Sequence, residues 1–171
     1  MITPDYCVMM ARYNRWQNRG LLAAAETLDA AARRKVRGAF WGSIAGTLSH
    51  LLWGDLVWMS RFDGGPRPDG GLSDSGDAFD IWEDWRRERQ ATDARIVGWA
   101  GRISQAELQG DLFWHSGAAG RAVSRPMGVC VTHFFNHQTH HRGQAHALLT
   151  MAGARPEATD LFLMPDEADW M

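Results

Sequence analysis

Apolar positions recur along this chain at helical spacing in four long stretches, separated by segments without a period. In the first, Tyr6, Met9, Met10, Tyr13, Trp16 and Leu21 follow a helix-like rhythm. Thr3-Pro4-Asp5 supplies a start signal of hydroxyl cap, proline at the first helical position and an acid at the positive helix end. The spacing predicts a helix to about Leu28. The stretch "DAAARRKVRGAF" then reads as a solvated connector with a basic cluster. A second helix is predicted over 40–62, with Ile44, Leu48, Leu51, Leu52 and Val57 as its apolar face. Gly42, Gly46 and Gly54 interrupt it, and close packing or room beside a site would explain them.

"DGGPRPDGGLSDSGDAF" has no period and reads as a loop, the best hinge or lid candidate. A helical pattern returns over 78–101 through Phe79, Trp82, Trp85, Ile96, Val97 and Trp99. Residues 108–126 are broken by glycine and suit a small hairpin or an irregular crossover. The last long helix is predicted over 127–152, with Gly153 as its stop. The tail, from about 154, is acidic and broken by proline; Leu161, Phe162, Leu163 and Trp170 suggest that it packs against the rest. The expected architecture is all-α, a single domain over 1–171.

Composition narrows the function. A formal charge of −2 gives no bulk attraction to nucleic acid or acidic membranes. No apolar run approaches the roughly 20 residues of a membrane helix, and the N-terminus lacks the pattern of a signal peptide. Cys7 and Cys130 form no CxxC pair, which fits a reducing compartment. The expectation is a cytoplasmic protein. Nine tryptophans in this length suggest core, pocket walls and an interface.

The chemistry is concentrated in "HFFNHQTHHRGQAH", residues 133–146, with five of the seven histidines. On a helix His133, His137 and His141 form a stripe, His140 lies at its side and His146 points elsewhere. His133 and His141 are about 12 Å apart along the axis, too far to share an ion with bonds of ~2 Å. One helix therefore supplies two ligands, either 133/137 or 137/141, and another helix a third. His50, within the apolar "TLSHLLWGD", is the stronger candidate, and His115 the weaker.

The chain resembles the DinB-like (DinB/YfiT) family of metal-binding helical bundles, which is distinct from the polymerase of similar name. The resemblance is carried by "GTLSHLLWGDLVW", "THFFNHQTHHRGQAHALL", "ARYNRWQNRGLLAAAETL" and "TDLFLM". It implies a four-helix bundle, often dimeric, with a divalent ion such as nickel or zinc between helices. It implies His50, His137 and His141 as the ligands. Three imidazoles leave coordination positions open, as in catalytic sites, and a water there would have a lowered pKa. Around them Asp55, His133 and Gln144 are candidates for supporting roles, Arg142 for an anion clamp, and Cys130 for a buried neighbour.

The resulting expectation is a metal-dependent enzyme acting on a small molecule, as a thiol-dependent transferase or a hydrolase. The alternatives are a non-catalytic metal-binding stress-response protein and a pH-responsive histidine patch.

Overall fold

The computed structural model describes residues 2–117 and 119–166. It is mostly helical. Four long helices, α1 (Pro4–Glu26), α3 (Ile44–Asp63), α4 (Trp82–Ala100) and α6 (Met127–Met151), account for most of it. Two short helices, α2 (Ala30–Arg34) and α5 (Gln105–Gln109), and a hairpin of β1 (Asp111–Ser116) and β2 (Arg121–Pro126) complete the regular structure. The long helices pack in the cyclic order α1, α4, α3, α6, each chiefly against two others.

The helix ends follow local chemistry. Thr3 accepts the Tyr6 N–H at 3.2 Å and Pro4 opens α1. The second long helix begins at Ile44 rather than at 40. Gly42 takes a left-handed conformation (φ +73°) and Ser43 caps the helix by accepting the Gly46 N–H at 3.0 Å. Gly153, at φ +87°, follows α6 and stops it as predicted. The basic connector is not simply solvated. Asp29 caps the five-residue α2 by accepting the Ala32 N–H at 2.7 Å, and the Arg33 guanidinium lies 4.3 Å from the Trp82 ring centre. Asp111–Ser116 and Arg121–Pro126 pair as the hairpin alternative, with Trp114 opposite Val123. Leu112 is buried while Phe113 is exposed, the alternation of a strand with one covered face.

The core has three levels. One apolar cluster contains Leu21, Leu22, Ala25, Ile44, Leu48, Leu52, Trp85, Leu148 and Leu149. The other contains Cys7, Ala11, Met59, Ile96, Trp99, Val131, Phe134 and Phe135. Between them in sequence, on every long helix, lie buried polar residues: Asn14 and Asn18, Asp55, Arg89 and Asp93, Gln138 and Arg142. Asp55 and Asp93 accept from Arg89 at 2.7 and 2.8 Å, Gln138 donates to Asp55 at 3.0 Å, and Asn14 and Asn18 donate to Asp93 at 3.2 and 2.8 Å. This layer changes the reading of α1. Its inward stripe is Cys7, Ala11, Asn14 and Asn18, while Tyr6, Met10, Tyr13 and Trp16 are only partly covered and Met9 is exposed.

The tail packs, but not through the residues expected. Tyr13 donates to the Thr159 carbonyl at 2.6 Å, Gln17 to the Ala158 carbonyl at 3.0 Å, and Ala154 is buried. Leu161, Phe162 and Leu163 are exposed, and Trp170 lies outside the described residues. Both cysteines are buried and free. Among the described residues no helix is long and apolar enough to cross a membrane.

Candidate metal centre

α3 and α6 pack against each other and bring His50, His137 and His141 together. One ligand atom from each imidazole lies within 4.8 Å of the others. His50 and His141 are buried, and His137 is partly covered. The ring centres are 4.4 Å apart for His50–His141 and His137–His141, and 5.3 Å for His50–His137.

Hydrogen bonds fix two of the rings. His50 Nδ1 lies 2.8 Å from Ser75 Oγ, whose own proton goes to the Leu72 carbonyl at 2.7 Å. Ser75 therefore accepts, Nδ1 carries the proton, and Nε2 keeps its lone pair. His141 Nδ1 donates to Gln144 Oε1 at 2.8 Å, which leaves its Nε2 in the same state. The two Nε2 atoms face each other at 3.2 Å. Two bare acceptors at that spacing repel, whereas a cation between them is favoured. Two nitrogens bound at ~2.1 Å to one tetrahedral ion stand about 3.4 Å apart. His137 adds a buried Nδ1 with no hydrogen-bond partner among the described residues. Such an orphan is costly unless something accepts or binds it.

The surroundings keep these rings neutral. Burial, then the charge that His141 would carry, lowers the His50 pKa to about 4. Burial lowers that of His137 to about 3, with His141, His50, His133 and His140 acting the same way. Burial also lowers His141, against the Gln144 hydrogen bond. Neutral imidazole is the form that binds metal. In the metal-free protein these lowered values couple stability to pH. Unfolded histidine titrates near 6.5, above these folded values, so the unfolded chain binds more protons in acid. The stability linked to these histidines is complete above about pH 6.5 and is lost as pH falls toward their folded pKa values. At pH 5 the loss should be well developed for His50, and His137 acts in the same direction. Urea unfolding of the chelated native protein and of chelated His50→Ala at pH 7 and pH 5 measures this, because buried carboxyls such as Asp93 titrate in both proteins, and an equal pH dependence in the two would rule it out.

Local packing explains the glycines. A Cβ on Gly54 would lie 2.7 Å from His137 Cε1, so its absence makes room for the ring. A Cβ on Gly46 would collide with the Trp41 backbone carbonyl, so this glycine lets the preceding turn close over α3. That turn places Trp41 flat on His50, with ring centres 3.9 Å apart at 17°. Trp41 also lines a cavity of about 460 Å³ with Arg33, Phe79, Trp82 and Trp85.

The other candidates are dispersed around the cluster. Gln144 orients His141. His133 is exposed, with its ring 5.9 Å from His137 and 5.0 Å from Trp58. The Asp55 carboxylate accepts from Arg89 and Gln138 in the polar layer. Arg142 is buried and donates to Asn14 Oδ1, and to Thr139 Oγ1 at 3.2 Å. Cys130 is buried, and burial raises its thiol pKa. His115 lies on β1, and His140 and His146 stand outside the triad. Ser75 and Trp41 are functional neighbours that sequence reasoning missed. Ser43 as a cap could have placed Trp41 ahead of α3, but nothing in the pattern marks Ser75 within its loop.

The family model described as DinB family matches residues 1–170. No curated protein and no solved structure matches the chain.

Proposed function

Because the chain belongs to the DinB family over essentially its whole length, we propose that it is a metal-dependent enzyme. In this reading it is a four-helix bundle of the DinB/YfiT type, and His50, His137 and His141 hold one divalent ion, nickel or zinc. The observation that carries it is the pair of Nε2 atoms that face each other 3.2 Å apart, with the third imidazole alongside.

The residues fit the group. Three neutral nitrogen donors suit a borderline ion and leave coordination positions open. When bound, a divalent ion in such a site supplies Lewis acidity toward water, thiol or carbonyl groups. Ser75 and Gln144 hold two rings in the tautomer that offers Nε2. Trp41 covers one face of His50 and excludes water from it. The reaction is thiol-dependent transfer or hydrolysis on a small-molecule substrate, carried out by a cytoplasmic homodimer.

Elemental analysis of the protein purified without a histidine tag tests the metal. About one ion per chain is expected for the native protein, from three ligands in one cluster, and none for His50→Ala. Metal-free native protein after growth with nickel and zinc would overturn the proposal. The depth of His50 and His141 favours one second reading, an ion that only braces the helices. A large fall in melting temperature on chelation, without turnover in thiol-conjugation and hydrolysis screens, would select that reading.

A further inference from the structure

The arginine nearest the histidines in sequence, Arg142, is enclosed in the core and bonded there. A different guanidinium is left for a ligand. His50, Gly54, Trp58 and Arg61 are spaced at i, i+4, i+8 and i+11 on α3, so they share one face. On α6 the corresponding stripe is His133, His137 and His141. The two stripes meet where Trp58 lies 5.0 Å from His133, itself 5.9 Å from His137. The Arg61 guanidinium carbon is 4.4 Å from the Trp58 ring centre and 5.2 Å from that of Trp114. The hairpin delivers Trp114, and its ring is 5.9 Å from that of Trp58.

Stacking on indoles holds a planar guanidinium in place while leaving its edge for hydrogen bonds. Arg61 is half-buried, yet among the described residues no carboxylate lies within ion-pair distance of it. Arg86, Arg87, Arg89 and Arg95 all have such partners. Burial lowers the pKa of Arg61, the neighbouring charge of Arg67 lowers it further, and only the Cys130 thiol opposes them. A half-buried cation with no carboxylate in ion-pair range, and with the charge of a second cation acting on it, suits the binding of an anion.

We propose that Arg61 recognises an oxyanion group, such as a carboxylate or phosphonate, on the substrate of the three-histidine centre. The inference rests on the metal reading above. From Gly54, beside His137, to Arg61 the helix rises about 10 Å. The ligand therefore carries its anionic group roughly that far from its reacting group, across Trp58 and His133.

The test uses the cobalt-loaded full chain, whose visible absorption reports a ligand on the ion. The probes are hydroxamates bearing a carboxylate or phosphonate on alkyl chains of graded length, each paired with its neutral ester. The native protein should bind the anion about tenfold more tightly than the ester at the matching length. Arg61→Gln should take up cobalt as the native protein does and lose that preference, while Arg61→Lys should retain part of it. Equal affinity for anion and ester in the native protein, or a preference that survives in Arg61→Gln, overturns this inference and leaves the metal reading standing. Failure of the native protein to take up cobalt overturns both. The native comparison does not depend on any variant folding.

Discussion

Replacing Arg89 by methionine is expected to lower the stability of the protein by about 3–5 kcal/mol at pH 8, the usual cost of removing one partner from a buried ion pair. Arg89 is 2% exposed and lies between Asp55 at 0% and Asp93 at 4%. Among the described residues, methionine leaves both carboxylates in the core with only the amides of Gln138, Asn14 and Asn18 as direct donors. A loss under about 1 kcal/mol would mean that water or repacking satisfies the layer.

The same variant should depend on pH in a definite direction. In the native protein burial already pushes Asp93 up to about 6, against the pull of Arg89 and Asn18, and burial raises Asp55 as well. Without the guanidinium both carboxyls hold their protons more tightly. A carboxyl whose folded pKa lies above its unfolded value of ~3.9 favours the folded state in acid, and that advantage disappears as pH rises through the folded pKa. The difference between native and variant should therefore be smaller at pH 5 than at pH 8. Urea unfolding of both proteins at the two pH values measures it. Adding Asp55→Asn and Asp93→Asn should recover much of the loss, because it removes the unpaired charges rather than replacing the pair.

This polar layer was the part of the fold least legible in the sequence. The long helices follow from apolar periodicity, and their ends from Thr3, Ser43 and Gly153, because caps and periods are local properties. Arg89, Asp93, Asn14 and Asn18 have the composition of a solvated face. Only the joining of four helices shows that they answer one another, and no local signal distinguishes a buried arginine from a surface one. The histidines were legible for a related reason. His137 and His141 stand one turn apart, and His50 lies in an apolar run where an unpartnered imidazole would be costly. Ser75 was not legible, since a loop serine reaches His50 only through tertiary structure. Arg61 was within reach. The helix face that carries His50 and Gly54 leads, in its next two turns, to Trp58 and then Arg61.

Gly54→Ala is expected to separate the fold from the site. Alanine favours an interior helical position over glycine by up to about 1 kcal/mol. Its Cβ, however, would stand 2.7 Å from His137 Cε1, closer than two carbons can approach, and the atom it meets is the far end of a side chain that can turn away. The helix can keep its path while the imidazole moves. The melting temperature of the chelated variant should equal or exceed that of the chelated native protein. Its zinc affinity, measured by competition with a chromophoric chelator, should fall roughly tenfold to a hundredfold, the range seen when the groups that orient metal ligands are disturbed. Unchanged affinity would show that His137 binds in another position or not at all. A fall in the stability of the metal-free variant would show instead that Gly54 serves helix packing. The predicted combination, a fold as stable and a site much weaker, arises only if this glycine is present for the ring beside it.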